Sequence, residues 1–149
     1  MADRKYWMVL FSPTTWREFL DAGASVYGLS DRYNTSANKT SPGDYLLCYV
    51  TGISQFMGLL EVTAAPYKGN TKIWEYEILP IHIKVKPIVC LPPEKGIPVL
   101  SLKERISFFL SLKNPSRWAN HFRNSIREWK RLDAEVVIHE LKEAAAHSK

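Results

Sequence analysis

The fold is decided by the stretch YLLCYVTGISQFMGLLEV, from Tyr45 to Val62. It contains two apolar runs, Tyr45–Val50 and Phe56–Val62, and the chain turns between them at Thr51–Ser54. Short apolar runs separated by a turn are typical of two strands that pair in a sheet. Gly58 lies inside the second run, where a glycine indicates a bulge or the close approach of another part of the chain.

Further strands are predicted on both sides of this hairpin. The run Tyr6–Phe11 is apolar throughout, which favours a buried strand. The segment Ile81–Lys86 alternates at period two, so we expect His82, Lys84 and Lys86 to face away from the core. Two strand candidates remain, Trp74–Ile78 and Asn124–Trp129. The first of them is predicted to form one long strand with Ile81–Lys86, interrupted at Pro80.

Helices are predicted around these strands. A capping-box pair at Thr15 predicts a helix that ends at Gly23. A second capping box at Ser101 predicts a helix that runs through Leu110. A terminal helix is predicted from Asp133 onward, and the polar segment Ser30–Lys39 is predicted to be a loop. Five or six short strands with peripheral helices indicate a small curved sheet or a partly closed barrel.

Length and composition narrow the class of protein. A chain of 149 residues with 46% hydrophobic residues is expected to form one domain, residues 1–149, with a substantial core. No unbroken apolar stretch approaches the roughly 20 residues of a membrane-spanning helix, and no signal region follows the N-terminus. The two cysteines lack the spacing of a disulfide framework, a zinc site or a redox motif. We therefore expect a reduced cytoplasmic protein without a membrane, metal or cofactor.

The net charge of +5 lies entirely in the second half of the chain. Residues 1–75 hold seven basic and seven acidic side chains, whereas the window Lys103–Arg131 holds eight basic and two acidic ones. Such a bias is typical of a surface that binds a polyanion. A merely basic surface explains the charge equally well.

No motif in the sequence indicates an enzyme. The chain contains no nucleophile elbow, phosphate-binding glycine loop, dinucleotide fingerprint or HExxH helix. Ser12 is a conceivable nucleophile without a neighbouring base, and the four histidines lie far apart. Two alternatives to a binding module stay open: a nucleic-acid-modifying enzyme with His121 as general base, and a domain that binds a free nucleotide, small ligand or peptide.

The aromatic residues are the positive evidence for binding. The chain has five Trp, seven Tyr and six Phe, and the segment Trp118–Arg123 places two aromatic rings, an imidazole, an amide and a guanidinium close together. Aromatic faces stack on nucleobases while neighbouring Arg and Lys hold the backbone. A Trp/Phe pair that closes the end of a barrel is the structural alternative.

Four segments together carry a family resemblance: Tyr6–Trp7, Ser41–Asp44, Met57–Val62 and Arg117–Arg123. In these segments the chain resembles EVE-domain proteins of the PUA-like superfamily, and the likeness extends over nearly its whole length. The resemblance implies an α+β fold, a PUA-like mixed β-barrel related to YTH domains. It also implies a non-catalytic reader of a modified base in DNA or RNA, with the base held in an aromatic pocket.

The resemblance also assigns candidate site residues. Tyr27 stands before Gly28 where relatives commonly carry Trp-Gly, which leaves a smaller aromatic face. Trp16 and Tyr49 are added from position and side-chain type, and for Tyr49 core packing is the stronger alternative. A companion restriction or modification enzyme is a candidate partner besides nucleic acid. The expected base pocket comprises Ser12, Trp16, Tyr27, Asn34, Tyr49, Trp118, His121 and Phe122, and the expected phosphate contacts are Arg32, Lys84, Arg117 and Arg123.

Overall fold

The computed structural model describes residues 4–69, 79–107 and 126–146. In this part of the chain, six strands form one continuous sheet in the order β2-β6-β4-β3-β1-β8, and two short strands pair at its margins, β5 with β6 and β7 with β4. The strands are β1 (Tyr6–Phe11), β2 (Val26–Leu29), β3 (Tyr45–Val50), β4 (Gln55–Val62), β5 (Tyr67–Lys68), β6 (Ile81–Cys90), β7 (Ile97–Pro98) and β8 (Arg127–Trp129).

The described helices pack on this sheet. They are α1 (Pro13–Asp21), α2 (Asn34–Ala37) and α3 (Arg131–Ala146). Strands β1 and β3 run parallel, while every other paired set in the sheet is antiparallel. The architecture is an α+β half-barrel built from a mixed, curled sheet, as the family resemblance implies.

The sheet buries a different core on each face because both faces of its central strands are apolar. The inner core, on the side of α1, contains Trp7, Phe11, Trp16, Phe19 and Tyr27 among others. The outer core, on the side of α3, contains Met8, Tyr49, Phe56 and Trp129 among others. None of the described helices is long and apolar enough to cross a membrane.

The central hairpin confirms its prediction from the sequence. Strand β3 has the predicted bounds, and β4 begins one residue earlier than predicted. Gly58 is a point of close approach, because a Cβ atom there would lie 2.7 Å from Cη2 of Trp16 and 2.9 Å from the carbonyl oxygen of Val89. The absence of a side chain at Gly58 therefore allows α1 to pack its indole directly onto the sheet.

Two helix starts differ from their predictions. Helix α1 begins at Pro13 rather than Thr15, because extended Ser12 caps it and proline is favoured in a first helical turn. No capping box forms at Ser101, whose hydroxyl donates to the carbonyl of Pro98 at 2.6 Å within a 3₁₀ turn, Val99–Leu102. Residues 103–106 form a turn and a bend instead of the predicted helix, and its predicted end at Leu110 lies outside the described residues, as does the predicted strand Trp74–Ile78.

Three further predictions are refined or wrong. The segment Ser30–Lys39 is not irregular, since it forms a 3₁₀ turn, Asp31–Tyr33, followed by α2. His82 is buried although its neighbours Lys84 and Lys86 are exposed, because β5 covers it. The predictions for the last strand and the terminal helix hold in outline, with β8 at Arg127–Trp129 and α3 from Arg131; residues 124 and 125 lie outside the described part.

Candidate functional site

A cleft lies in the seam of the half-barrel, where the end of β1 faces β2. No strand ladder joins β1 to β2 in the described chain, so the sheet curls without closing at this point. The cleft encloses about 260 Å³. Its lining residues come from β1, α1, β2, the 3₁₀ turn and the start of the segment before β6: Leu10, Phe11, Thr15, Tyr27, Gly28, Leu29, Ser30, Arg32, Tyr33 and Leu79.

Two aromatic rings form the inner wall of the cleft. Phe11 and Tyr27 pack with ring centroids 5.1 Å apart and an interplanar angle of 60°, and each is only 3% exposed. The hydroxyl of Tyr27 donates to the backbone carbonyl of Leu10 at 3.1 Å and so bridges the seam. This bond holds β2 against β1 and fixes the ring in the wall.

The outer rim is formed by the neighbours Arg32 and Tyr33. The Arg32 guanidinium donates to the Tyr33 hydroxyl at 2.5 Å and lies 4.7 Å from the centre of its ring. Arg32 is exposed and Tyr33 is half-buried against the inner core. Beside them, Asp31 forms an exposed ion pair with Lys68 of β5 at 3.9 Å. The rim thus combines a third aromatic ring with a cation that faces solvent.

The N-terminus of α1 supplies the polar side of the cleft. The Thr15 backbone N–H donates to the Ser12 hydroxyl at 3.0 Å, and the Ser12 backbone N–H donates to the Thr15 hydroxyl at 2.8 Å. These reciprocal bonds engage both hydroxyls in the helix cap, and Thr15 is the one of the two residues that lines the cleft. The cap gives Ser12 a structural role, and its expected role in reading the base stays a prediction.

The structure brings together two of the residues expected in the site, Tyr27 and Arg32, and places four others elsewhere. Trp16 is buried in the inner core against Phe11, with ring centroids 5.0 Å apart. Tyr49 packs on Phe56 in the outer core, and burial raises the pKa of its hydroxyl. Asn34 is exposed on α2, and Lys84 is exposed on the outer face of β6. The expected residues Arg117, Trp118, His121, Phe122 and Arg123 lie outside the described residues.

Core packing accounts for the positions of both Trp16 and Tyr49, since each ring is almost completely buried. Their assignment to a base pocket stays a prediction. Asn34 opens a short helix beyond the rim instead of standing in a loop, and its assignment to the pocket stays a prediction.

Sequence reasoning missed Tyr33 and Thr15 as lining residues. Tyr33 follows Arg32 within a polar segment, and that adjacency of a ring and a guanidinium was the available signal. Thr15 was interpreted as a helix cap, and its position in the wall depends on the seam between β1 and β2. A contact across the seam is not visible in the local sequence.

Comparisons with known proteins place this architecture in a family. The sequence matches the EVE domain family over residues 5–140, which is most of the chain. The chain belongs to the EVE-domain family. This EVE domain is also similar to a UPF0310 protein of Pyrococcus abyssi, with 27% identity over 128 residues that cover 78% of this chain and 84% of that protein. A UPF0310 protein of Pyrococcus horikoshii is 25% identical over 131 residues, with the same coverage.

Solved structures share the fold of this EVE domain. The YTH domain of Pho92, solved in complex with m6A, has a TM-score of 0.69 at 15% identity and covers 95% of this chain and 85% of that one. The YTH domain of the Zygosaccharomyces rouxii MRB1 protein, in complex with N6-methyladenosine RNA, has a TM-score of 0.65 at 15% identity, with coverages of 95% and 92%. At such low identity these likenesses show the fold alone.

Proposed function

We propose that this EVE domain is a non-catalytic nucleic-acid-binding module that holds one modified base in the cleft between β1 and β2. The observation that carries the proposal is the cleft itself, with aromatic rings in its wall and rim and an exposed guanidinium beside them. Its volume of about 260 Å³ lies just below the roughly 300–1,000 Å³ of sites for drug-sized ligands, which suits a single heterocycle.

The energetics of base binding agree with this lining. Extruding a base from a stack costs a few kcal/mol, and contact with aromatic faces offsets that cost by roughly 1–3 kcal/mol per base. A methyl group buried against Phe11, Tyr27 or Tyr33 adds about 0.8 kcal/mol, which corresponds to a preference of about fourfold. The backbone of Ser30 lines the cleft and is the proposed partner for the base edge, because the Thr15 hydroxyl is engaged in the helix cap.

The chemistry of the lining favours binding over catalysis. No carboxylate, imidazole or thiol lines the cleft among residues 4–69, 79–107 and 126–146, and general acid–base catalysis most often uses such groups. The YTH domains of the same fold, solved with m6A or N6-methyladenosine RNA, support the choice of ligand class.

The decisive experiment is a titration of labelled single-stranded RNA and DNA of one sequence, with and without a single methylated base. We expect the methylated oligonucleotide to bind several-fold tighter. Tyr33→Ala should abolish this preference because it removes the ring at the rim, whereas Arg32→Ala should weaken both oligonucleotides alike. Arg131→Ala is the matched control, since Arg131 is exposed at the start of α3, beyond the opposite end of β1.

Two results would contradict the proposal. The first is an affinity for the oligonucleotides that is no greater than that for an inert acidic polymer and that neither Tyr33→Ala nor Trp118→Ala changes. Trp118→Ala tests the part of the pocket that is predicted from the sequence alone. The second is the release of a chemically altered nucleoside, detected by mass spectrometry, which would indicate an enzyme. Stronger thermal stabilisation by a free nucleotide than by an oligonucleotide would favour a small-ligand domain instead.

A further inference from the structure

The outer face of the sheet beside the cleft carries a row of three paired residues. Gly28 of β2 pairs with His82 of β6, and His82 pairs on its other side with Tyr67 of β5. Directly paired residues point to the same face of a sheet, so all three positions share the outer face. Two strand spacings, about 10 Å, separate Gly28 in the cleft from Tyr67.

Tyr67 is an exposed aromatic ring in a fixed position. It is 38% exposed, and its ring meets the buried imidazole of His82 edge-on, with centroids 5.4 Å apart. The chain after it packs tightly on the same imidazole, because a Cβ atom on Gly69 would lie 2.3 Å from Nδ1 of His82. Support from His82 and pairing with β6 hold the ring in place while more than a third of the residue stays in solvent.

One lysine ammonium lies over this ring, and two further exposed lysines belong to β5 and β6. The Lys84 ammonium lies 5.7 Å from the centre of the Tyr67 ring, and no ion pair to Lys84 is found in the described parts of the chain. Lys86 and Lys68 contact Glu61 and Asp31 only at 3.9 Å. The pair with Asp31 is exposed and the pair with the half-buried Glu61 is exposed on the lysine side, so both are of little strength. These ammonium groups can therefore exchange their partners for phosphate oxygens at little cost.

The lysines are continuous with the rim of the cleft. Asp31, the partner of Lys68, is the residue before Arg32, so the cation at the rim adjoins the lysines of β5 and β6. We call Tyr67, Lys84 and Lys86 the outer strip, and Lys68 lies between this strip and the rim. An aromatic ring among cations beside a base-sized cleft is the arrangement that binds a single nucleic-acid strand.

We propose that the outer strip is a second nucleotide subsite, in which Tyr67 stacks on a base next to the one in the cleft and the lysines contact the phosphates between them. The inference rests on the proposed function of the cleft and extends it. The ligand is then a single strand of several nucleotides rather than a free nucleotide or a duplex, because a base must be unpaired to lie on the ring.

The test compares two ligands by isothermal titration calorimetry. One is a single-stranded RNA of about nine nucleotides, within the ~4–16 typical of single-strand sites, with one central N6-methyladenosine. The other is N6-methyladenosine monophosphate, which reaches the cleft only. Tyr67→Ala should weaken binding of the RNA by roughly 5- to 100-fold and leave binding of the monophosphate unchanged.

Control variants separate stacking from folding. Tyr67→Phe keeps the aromatic face and should bind the RNA like the original protein, whereas Tyr67→Leu keeps apolar contact with His82 but should bind like Tyr67→Ala. Ile88→Ala is the matched surface control, since Ile88 is also 38% exposed and lies six residues further along β6 than His82. It should bind both ligands like the original protein.

The two proposals fail in different ways. The outer strip is refuted if Tyr67→Leu and Tyr67→Ala, both folded, change the affinities for the RNA and the monophosphate equally or change neither. The proposed role of the cleft is refuted if Tyr33→Ala and removal of the methyl group leave the affinities for the RNA and the monophosphate unchanged. A loss of RNA affinity in Tyr67→Ala would then still support the outer strip. If the original protein does not bind the RNA, the outer strip is refuted as a site for it, and the proposed function is refuted as well only if single-stranded DNA is also not bound.

Discussion

At the scale of single residues, one buried carboxylate organises the start of the sheet. Asp44 is 2% exposed and accepts hydrogen bonds from the backbone N–H groups of Lys5 and Ser41, at 3.0 and 2.9 Å, and from the Trp7 indole at 3.0 Å. It therefore ties the turn before β3 to the first residues of the chain that enter β1. Buried acceptors of this kind satisfy donors that would otherwise be left without a partner.

Asp44→Ala should destabilise the fold by about 3 kcal/mol. The buried Trp7 indole N–H is left without its acceptor, which costs ~1–3 kcal/mol, and the half-buried N–H groups of Lys5 and Ser41 each lose a further hydrogen bond. Urea denaturation measures the change in the free energy of unfolding. Asp21→Ala is the control, since Asp21 is exposed at the end of α1, where a carboxylate is unfavourable to the helix dipole. A loss from Asp44→Ala no larger than that of the control would contradict the role of this residue.

The two thiols should differ in reactivity from free cysteine. Burial raises the pKa of Cys48 well above its usual value and also raises the pKa of Cys90, although Cys90 is exposed in part. The thiolate is the reactive form, so a raised pKa lowers its population at pH 8. Iodoacetamide should alkylate Cys90 several-fold more slowly than free cysteine and should leave Cys48 unmodified until urea unfolds the chain. The rate of Cys90 alkylation should still rise with pH where the rate for free cysteine has levelled off. Equal alkylation rates for Cys90 and free cysteine at pH 8 would refute the raised pKa of Cys90.

At the scale of elements, the contact between α1 and the hairpin depends on Gly58. The Trp16 indole occupies the space that a side chain at Gly58 would need, and it stacks at 5.7 Å on Phe19 of the same helix. Since α1 also provides Thr15 to the cleft, the packing of the Trp16 indole on the sheet sets the position of one wall of the cleft.

Gly58→Ala should destabilise the protein by about 1–3 kcal/mol through overpacking. Trp16→Phe shortens the side chain and should recover part of that loss in the double variant, though not all of it, because the contact with the Val89 carbonyl at 2.9 Å persists. The measurement is a double-mutant cycle on the free energy of unfolding. Strictly additive losses would show that the indole does not sit on Gly58.

The elements that the sequence predicts best are those with a local cause. Strands β1 and β3 have their predicted bounds because each is an unbroken apolar run between turn residues. Strand β2 was missed because its four residues include a glycine and show no alternation, and it is a strand only through pairing with β6. Ser101 was misjudged since a local capping pattern could not reveal that its hydroxyl bonds to Pro98.

Sequence alone could predict members of the candidate site only where a residue stands out by its own type and its immediate neighbours. Tyr27 was found from its position before Gly28, yet its role in the wall depends on a bond to Leu10, seventeen positions earlier in the chain. Curling of the sheet creates the cleft, and curling is a property of the whole strand order. Residues that line it from outside the recognised motifs, such as Thr15, could not be identified before the seam was known.

At the scale of the whole molecule, folding redistributes the charge that the sequence displays. Within the basic window, Arg105 pairs with Glu140 at 2.6 Å, and Arg131 pairs with Glu135 at 2.7 Å. Carboxylates of α3 thus offset part of that window. By contrast, Arg32 and Lys68 come from the electrically balanced first half and join Lys84 and Lys86 near the cleft. Among the described residues, the cations nearest the cleft therefore do not come from the basic window.

This redistribution predicts the salt dependence of binding. Each phosphate neutralised on a single strand contributes about −0.7 to the slope of log K against log salt concentration, so four cations near the cleft imply a slope of about −3. Lys84→Ala should reduce the slope by about 0.7 while preserving the preference for a methylated base, because a phosphate contact carries no base information.

Lys95→Ala is the matched control for that measurement. Lys95 is an exposed lysine in the turn beyond Cys90, at the opposite end of β6 from Ile81, and its removal lowers the net charge by the same amount. If long-range attraction by the net charge governed binding, both variants would lower the slope equally. A reduction confined to Lys84→Ala would instead show that phosphates are held locally along the outer strip, and equal reductions would refute that assignment.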